Sequence, residues 1–397
     1  MGSLFTGPVI VLVVTLVIQA MAVLAVLAPT VIAPVIVDAL GVRNSAAGIY
    51  ISFVYISAIC SALYSGTLIS RWGAIRVSQV GLLLCAIGLG MATTGNVAFA
   101  LAGAVIAGFG YGPITPASSH VLIRTTPRHR LSIVFSIKQC GVPVGGIAAG
   151  LLIPQQQLAF GWVWALISAS IGCVATALIA QLVRPGLDAG REPYVKRSLL
   201  ASMLEPVQLV TSHRHLRVLA ACSFVFAGVQ LSLTTYLCSY LNLSLGWSLL
   251  AAGVALSIMQ AAGMVGRIIW GVIADAGFGA HRTLVLLNAL MIVSCLCTAM
   301  FASDMPSYWI FTVLTVFGAS AVGWNGVFLG HIARLAPEGK ASLVTGGALA
   351  FTFFGTVFWA PLFGLLADAA SGYRTSFFAL SLPLIVCLWF LVTRRVS

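Results

Sequence analysis

Two positively charged side chains lie inside apolar stretches that contain no acidic residue. Lys138 occurs in FSIKQCGVPVGG and Arg267 in QAAGMVGRIIWGVI. A cation in hydrocarbon costs roughly 2.5–3.5 kcal/mol on insertion scales, and such residues commonly mark the path of a solute. Two cations without acidic partners can bind an anion, because Arg offers a carboxylate two parallel hydrogen bonds and Lys offers a point charge.

The composition indicates that these cations are buried in a lipid bilayer. The chain has 397 residues, of which 60% are hydrophobic and 7% charged, and this excludes a soluble globular domain. Apolar segments long enough to cross about 30 Å of hydrocarbon as helices lie near 8–35, 46–69, 76–95, 97–122, 131–154, 161–183, 217–241, 248–274, 283–302, 307–333, 341–367 and 373–393. Alternation at period two is lacking, so we predict an all-α membrane protein with twelve transmembrane helices.

The distribution of basic residues predicts the orientation in the membrane. Apart from the two intramembrane cations, only Arg43 and Arg374 fall in outer segments, and the other sixteen of the 20 basic residues fall in inner ones. The positive-inside rule therefore places both termini in the cytoplasm, and we predict a multi-pass protein of the cell inner membrane. The net charge of +12 then reflects topology, and we expect no nucleic-acid partner.

The chain divides near its middle. Residues 184–216 form the only long polar connection, with six apolar segments on each side. We predict an N-terminal six-helix bundle over 1–184, a cytoplasmic linker over 185–216 and a C-terminal six-helix bundle over 217–397.

Internal repeats support this division. The sequence from Gly66, GTLISRWGAIR, is repeated 205 residues later from Gly271 as GVIADAGFGAHR. A second pair starts at Gly150 with GLLIP and at Gly364 with GLLAD, 214 residues apart. Two landmarks at nearly one spacing indicate a duplicated bundle, which is how many transporters build a substrate site near the bilayer midplane.

The first repeat carries a family resemblance. Gly66, Arg71, Gly73 and Arg76 match the loop G-x-x-x-D-R-x-G-R-R of the major facilitator superfamily, except that Ser70 replaces the acid. The resemblance covers the whole chain. It implies two pseudo-symmetric six-helix bundles that rock about a central cavity, with these loops acting in gating.

The second repeat resembles one branch of that superfamily. It keeps Gly271 and Asp275 and has Ala276 in place of the Arg. Arg267, Gly271, Ala274 and Asp275 match R-x-x-x-G-x-x-[AS]-[DN], which is similar to the monocarboxylate transporters and the oxalate:formate exchanger. In those proteins the arginine at this position binds the substrate carboxylate, so the resemblance implies that role for Arg267.

The two cations are expected at similar depth. Arg267 precedes the inner Asp275 by eight residues and Lys138 follows the inner Arg130 by eight, so each lies about 12 Å from the cytoplasmic edge. In the family fold, the helices that carry them face one cavity, where two like charges require an anion. The competing interpretation is that Lys138 extends toward the inner interface and that Arg267 caps backbone carbonyls.

Further polar residues on cavity-forming helices are weaker candidates for substrate contact, because many such side chains only join neighbouring helices by hydrogen bonds. They are Gln19, Tyr111, Thr115, Gln139, Gln230, Gln260 and Asn325. Asp38 is the best candidate for a proton-coupling carboxylate, although an anion exchanger needs none. We expect no cofactor and no metal, since no cluster of residues has ligand spacing.

We therefore predict a secondary active transporter of a small mono- or dicarboxylate, working by proton symport or anion exchange and acting as a monomer. An efflux pump for amphipathic compounds is the first alternative, although the chain lacks an intramembrane acid to bind cations. A non-transporting sensor on the same scaffold is the second, a class in which we expect an appended signalling domain. No nucleophile, base and orienting acid occur together, so we do not expect an enzyme.

Overall fold

The computed structural model describes residues 7–127, 131–188, 199–338, 340–370 and 372–393. These ranges are helical, with short connections and no strand. Twelve helical spans within them are long and apolar enough to cross a membrane. The prediction of an all-helical, twelve-span membrane protein is confirmed.

Some predicted features lie outside the described residues. They include Arg130, from which the depth of Lys138 was inferred, residues 189–198 of the predicted linker, and both ends of the chain at 1–6 and 394–397.

The chain forms two compact units, each built from its own helices. The first unit comprises Met1–Val42 and Tyr50–Lys196, and the second comprises Arg43–Ile49 and Arg197–Ser397.

The described residues of the first unit form ten helices, and the third of them begins in residues that belong to the second unit. They are α1 (Pro8–Val31), α2 (Ala33–Leu40), α3 (Ala46–Trp72), α4 (Ala74–Ala92), α5 (Val97–Tyr111), α6 (Ile114–Thr125), α7 (Leu131–Gln139), α8 (Gly141–Phe160), α9 (Trp162–Ala180) and α10 (Arg184–Leu187). Glycines bring α4 and α5 into contact. A side chain at Gly88 would collide with the carbonyl oxygen of Gly103, and one at Gly81 with that of Gly110. Small residues permit this close approach where lipid supplies no hydrophobic drive between helices.

In the part of the second unit that the structure describes, there are eight α-helices and one π-helical turn. They are α11 (Leu199–Ser212), α12 (Arg214–Leu245), α13 (Leu249–Ile273), the π turn (Ala274–Phe278), α14 (Ala280–Ala299), α15 (Ser307–Ala321), α16 (Asn325–Leu335), α17 (Ala341–Ala369) and α18 (Tyr373–Thr393). Gly355 of α17 lies against the carbonyl group of Phe224 in α12, and Gly318 of α15 against that of Met259 in α13. Each unit thus packs its spans through glycine contacts.

Residues 43–49 cluster with the second unit through their backbone. The Ser45 amide donates to Oδ2 of Asp368 at 3.2 Å, and the Gly48 amide donates to the Tyr236 hydroxyl at 2.8 Å. Both amides lie at the start of α3, where the first amide groups of a helix have no partner within the helix.

Short breaks divide three of the described spans into separate α-helices. The span Val97–Thr125 consists of α5 and α6, with Gly112 and Pro113 between them, and the span Ser307–Leu335 consists of α15 and α16. Cys140 separates α7 from α8. The glycine and proline content predicts the first and third interruptions, because proline lacks the amide that would continue the helical ladder.

Candidate functional site

Lys138 lies in the last turn of α7, one residue before its end at Gln139. Its side chain is 1% exposed. The Nζ atom is buried and has no hydrogen-bond partner among the residues that the structure describes. An ammonium that is withdrawn from water without a partner is costly, and no described residue neutralises the positive charge of Lys138.

Gln19 of α1 is the second incompletely bonded side chain of the first unit's candidate site. It is fully buried, and its Oε1 accepts a hydrogen bond from the Thr115 hydroxyl at 3.0 Å. Its Nε2 has no partner among the described residues. Gly141 lies directly against Gln19, because a Cβ at Gly141 would be 3.0 Å from the Cβ of Gln19. The helix that follows Lys138 therefore contacts this glutamine.

The two atoms left without a partner are both hydrogen-bond donors. Nζ of Lys138 carries a charge, and Nε2 of Gln19 is a neutral amide nitrogen. Tyr111 is half-buried at the end of α5, with its ring edge-on to that of Tyr55 at 6.0 Å between centroids. Gln139 is half-buried beside Lys138. A group that accepts hydrogen bonds is the complement to these two donors.

Arg267 occupies a different environment on α13. It is half-buried, and its Nε donates to the carbonyl oxygen of Val322 at 3.0 Å. Val322 belongs to the short turn between α15 and α16. One helical turn beyond Arg267, Nε1 of Trp270 donates to the carbonyl oxygen of Ala319 at 2.9 Å. Arg267 therefore caps a backbone carbonyl, as the competing sequence interpretation expected for this residue.

Gln230 of α12 accepts two hydrogen bonds from residues at the start of α16. Its Oε1 accepts from Nε1 of Trp324 at 3.1 Å and from Nδ2 of Asn325 at 3.2 Å. Trp324 is fully buried, so its indole N–H depends on this acceptor. Gln260 of α13 is 4% exposed.

The glutamine contacts repeat between the units. Gln230 follows Gln19 by 211 residues, and Asn325 follows Thr115 by 210. In each unit, the glutamine of the first long span bonds to the segment that follows the break in the fourth span. The duplication seen in the sequence therefore extends to hydrogen bonds at the candidate sites.

The first loop predicted to act in gating connects α3 to α4, and Asp188, which the sequence analysis did not single out, bonds to its backbone. Oδ1 of Asp188 accepts from the Ile75 amide at 2.9 Å, and Oδ2 accepts from the Arg76 amide at 3.1 Å. Gly73 has a φ of 90°, and a Cβ there would collide with the Asp188 carboxylate. A carboxylate at a helix N-terminus satisfies free amides and the helix dipole, so Asp188 supplies an acid to a loop in which Ser70 replaces one.

The other residues of this loop are solvent-accessible. Gly66 and Arg71 in α3 are exposed, as is Arg76 at the start of α4. Arg184 approaches Asp188 at 3.7 Å between Nε and Oδ2.

The second loop predicted to act in gating contains the π turn. Asp275 pairs with Arg334 of α16 at 3.3 Å between Oδ1 and Nη2, and both side chains are mostly exposed. Gly277 and Gly279 have φ of 105° and 88°, which favour glycine. Gly271 is half-buried near the end of α13. Asp38 is exposed near the end of α2, and its role in proton coupling stays a prediction.

Twelve helical spans within the described ranges, with buried polar residues and a duplicated plan, define a multi-pass membrane transporter. The protein belongs to the major facilitator superfamily, whose family model matches residues 13–346. It transports a substrate by alternating access between its two bundles. A search of curated proteins finds no significant relative.

Solved structures of other transporters share the fold. A bacterial homologue of the human lysosomal transporter Spinster, in an inward-facing and occupied conformation, is 16% identical with a TM-score of 0.75 over 96% of each chain. The nucleoside transporter NupG is 14% identical with a TM-score of 0.77, over 96% of this chain and all of that one. A D-xylose-proton symporter is 16% identical with a TM-score of 0.72, over 98% and 97%. At these identities the likeness extends to the fold alone.

Proposed function

We propose that this transporter carries a small organic anion, a mono- or dicarboxylate, and that Lys138 is its principal charged contact. The observation that carries the proposal is the 1% exposed ammonium of Lys138, which has no hydrogen-bond partner among the described residues. When no substrate is bound, the free-energy cost of removing this cation from water is not offset by an opposite charge. Binding of an anion removes that cost and makes a charge-assisted hydrogen bond.

A second buried donor in the same unit favours a carboxylate over a cationic or neutral substrate. Nε2 of Gln19 is a second buried donor without a partner, and a carboxylate has two oxygens that accept hydrogen bonds. A cation would be repelled by Lys138, and a neutral solute would leave the ammonium charge uncompensated.

The short helix α7 supplies a way for Lys138 to change its surroundings. It spans Leu131–Gln139 and is separated from α8 by Cys140. Lys138 thus sits beside a break where a small backbone change reorients the ammonium without disturbing the longer helix. Spans with such breaks lie at the binding sites of many secondary transporters.

Arg267 is the second substrate contact in the proposal. Its Nε bond to Val322 fixes the plane of the guanidinium, and a guanidinium has five N–H groups in total. The match of Arg267, Gly271, Ala274 and Asp275 to the carboxylate-transporter branch supports assignment to that branch. Tyr111, Gln139, Gln230, Gln260 and Asn325 are proposed as weaker substrate contacts.

Coupling and orientation complete the proposal. Transport proceeds by proton symport, with Asp38 as the candidate carboxylate, or by exchange of one anion for another. The excess of basic residues in inner loops supports cytoplasmic termini and an inner-membrane location. The protein acts as a monomer.

The test is uptake of labelled lactate, pyruvate and oxalate into proteoliposomes, with and without a pH gradient. We expect carboxylates to be transported and their uncharged amides to be excluded. Lys138→Gln should abolish the preference for the charged form, whereas Lys340→Gln, which removes an exposed lysine at the start of α17, should not. Equal transport of acids and amides by the unaltered protein would refute the proposal. Acceleration by an inward proton gradient would select symport, and dependence on internal anion would select exchange.

A further inference from the structure

A groove of about 620 Å³ lies on the second unit between α12, α17 and α18. Its walls are mostly apolar, with both aliphatic and aromatic side chains. They include Ala221 and Val225 of α12, Phe351 and Phe354 of α17, and Val386 and Phe390 of α18. Phe354 is 60% exposed and Val386 53% exposed, so the groove opens on the apolar exterior of its unit.

Among the described residues that line this groove, Arg217 is the one that carries a charge, and it lies at one end. Arg217 lies in the first turns of α12, which begins at Arg214. Its guanidinium is exposed and makes one long hydrogen bond, from Nη1 to the carbonyl oxygen of Thr211 at 3.4 Å. Among the described residues, no carboxylate pairs with Arg217.

The surrounding helix end adds to the positive potential. His213, at the N-cap of α12, makes no side-chain capping bond, and the first turn contains no acidic residue. Arg214 and His215 are exposed beside it. The free amides and the dipole at a helix N-terminus also favour an anion. The polar end of the groove is therefore complementary to a negative group.

The apolar walls alone cannot select a ligand within a bilayer. Replacing one hydrocarbon neighbour by another yields no hydrophobic gain, and only packing distinguishes them. Arg217 supplies the selection, because a basic residue near the membrane surface attracts anionic lipid headgroups. The positive-inside rule assigns this end of α12 to the cytoplasmic leaflet, and Arg217 lies in the first turn of the span Arg214–Leu245.

We propose that the groove binds an anionic phospholipid, with an acyl chain against Ala221, Phe354 and Val386 and the phosphate at Arg217. The bound lipid is a structural ligand of the second unit, distinct from the transported solute.

Native mass spectrometry of the delipidated full chain tests this. Phosphatidylglycerol and phosphatidylcholine with identical acyl chains would be titrated separately. We expect tighter retention of phosphatidylglycerol by the unaltered protein. Arg217→Gln should weaken phosphatidylglycerol about fivefold and leave phosphatidylcholine unchanged. Arg282→Gln, which removes an exposed cation at the start of α14, is the matched control and should retain the preference.

A second pair of variants tests the walls. Ala221→Phe fills the groove from α12, and Val386→Trp fills it from α18, so each should lower retention of both lipids. Either variant alone suffices if the other fails to elute as a folded species. The proposal is overturned if the unaltered protein retains both lipids equally, or if Arg217→Gln binds phosphatidylglycerol as tightly as Arg282→Gln does. The readout is the mass of bound lipid, so it is independent of which solute is transported.

Discussion

The two units share a plan but treat the polar groups of their candidate sites differently. In the first unit, Nζ of Lys138 and Nε2 of Gln19 are buried without a partner among the described residues. In the second, Nε of Arg267 bonds to Val322, and Oε1 of Gln230 accepts two hydrogen bonds. At the candidate sites, the first unit thus retains donors for a ligand, whereas Arg267 and Gln230 of the second unit bond to the break in its fourth span.

The repeat makes the contrast sharper. The residue 214 positions after Lys138 is Thr352. Its hydroxyl donates to Oγ of Ser223 at 3.1 Å, and it lies 3.2 Å from the carbonyl oxygen of Ala348. The corresponding position of the second unit therefore holds a small, satisfied side chain where the first unit holds an unneutralised cation.

Replacing Lys138 should have the largest effect on transport. A hydrogen bond to a charged group contributes about 1.5–3 kcal/mol, so Lys138→Gln should slow carboxylate uptake by about 10- to 150-fold. The same variant removes an uncompensated buried charge, so its unfolding temperature should rise. Uptake into proteoliposomes and a thermal unfolding curve measure the two effects. A less stable variant with unchanged uptake would assign Lys138 a structural role.

Replacing Arg267 should lower stability, whereas replacing Lys138 should raise it. Arg267→Gln removes the donor to the Val322 carbonyl, and loss of such a bond should lower the free energy of unfolding by about 1–3 kcal/mol. Carboxylate uptake should fall as well, by less than in Lys138→Gln. Thermal unfolding in detergent gives the comparison, with Arg282→Gln as the control for loss of an exposed positive charge. If Arg267→Gln is as stable as the control, the cap at Val322 contributes nothing.

Replacing Gln230 should mainly reduce stability, whereas replacing Gln19 should mainly reduce substrate binding. Gln230→Leu leaves the buried indole of Trp324 and the amide of Asn325 without their acceptor, so it should destabilise the protein by about 1–3 kcal/mol. Gln19→Leu removes a nitrogen that has no partner among the described residues and should cost less, because Thr115, which loses its acceptor, is exposed and not buried. Gln19→Leu should instead weaken carboxylate binding. Unfolding curves and substrate titrations of both variants test this, and equal destabilisation would remove the contrast between the units.

The two loops predicted to act in gating should differ least in their contribution to stability. Asp188→Ala removes an N-terminal cap from α4 and should cost about 0.5–2 kcal/mol. Asp275→Ala breaks an exposed ion pair with Arg334 and should cost about 1 kcal/mol or less. Thermal unfolding at low and high salt measures both. The effect of Asp275→Ala should vanish at high salt and that of Asp188→Ala should persist, because screening is strongest for exposed charges. A reversed order would contradict the cap at Asp188.

Much of the scaffold could be predicted because lipid imposes a simple rule on sequence. Spans such as Val97–Thr125 and Tyr373–Thr393 are continuous apolar stretches, and only helices satisfy their backbone there. Gly112 and Pro113 predict the break between α5 and α6, because proline lacks the amide that continues a helix. Lys138 and Arg267 stood out because ionisable residues are rare within apolar spans.

The contacts of those residues could not be predicted. Asp188 lies 113 residues after Ile75, whose amide it accepts, and no local pattern links the two. Arg267 and Lys138 have similar apolar flanks, yet one has a carbonyl partner and the other has none among the described residues. The difference depends on where a turn from a distant span places its carbonyl, which is a property of packing.

The most direct test of the central role of Lys138 is equilibrium binding of a labelled carboxylate to the solubilised protein. The unaltered chain and Lys340→Gln should bind the carboxylate with the same Kd, and excess unlabelled carboxylate should displace it where the matching amide does not. Lys138→Gln should bind at least about tenfold more weakly. A folded Lys138→Gln protein with an unchanged Kd would contradict the account.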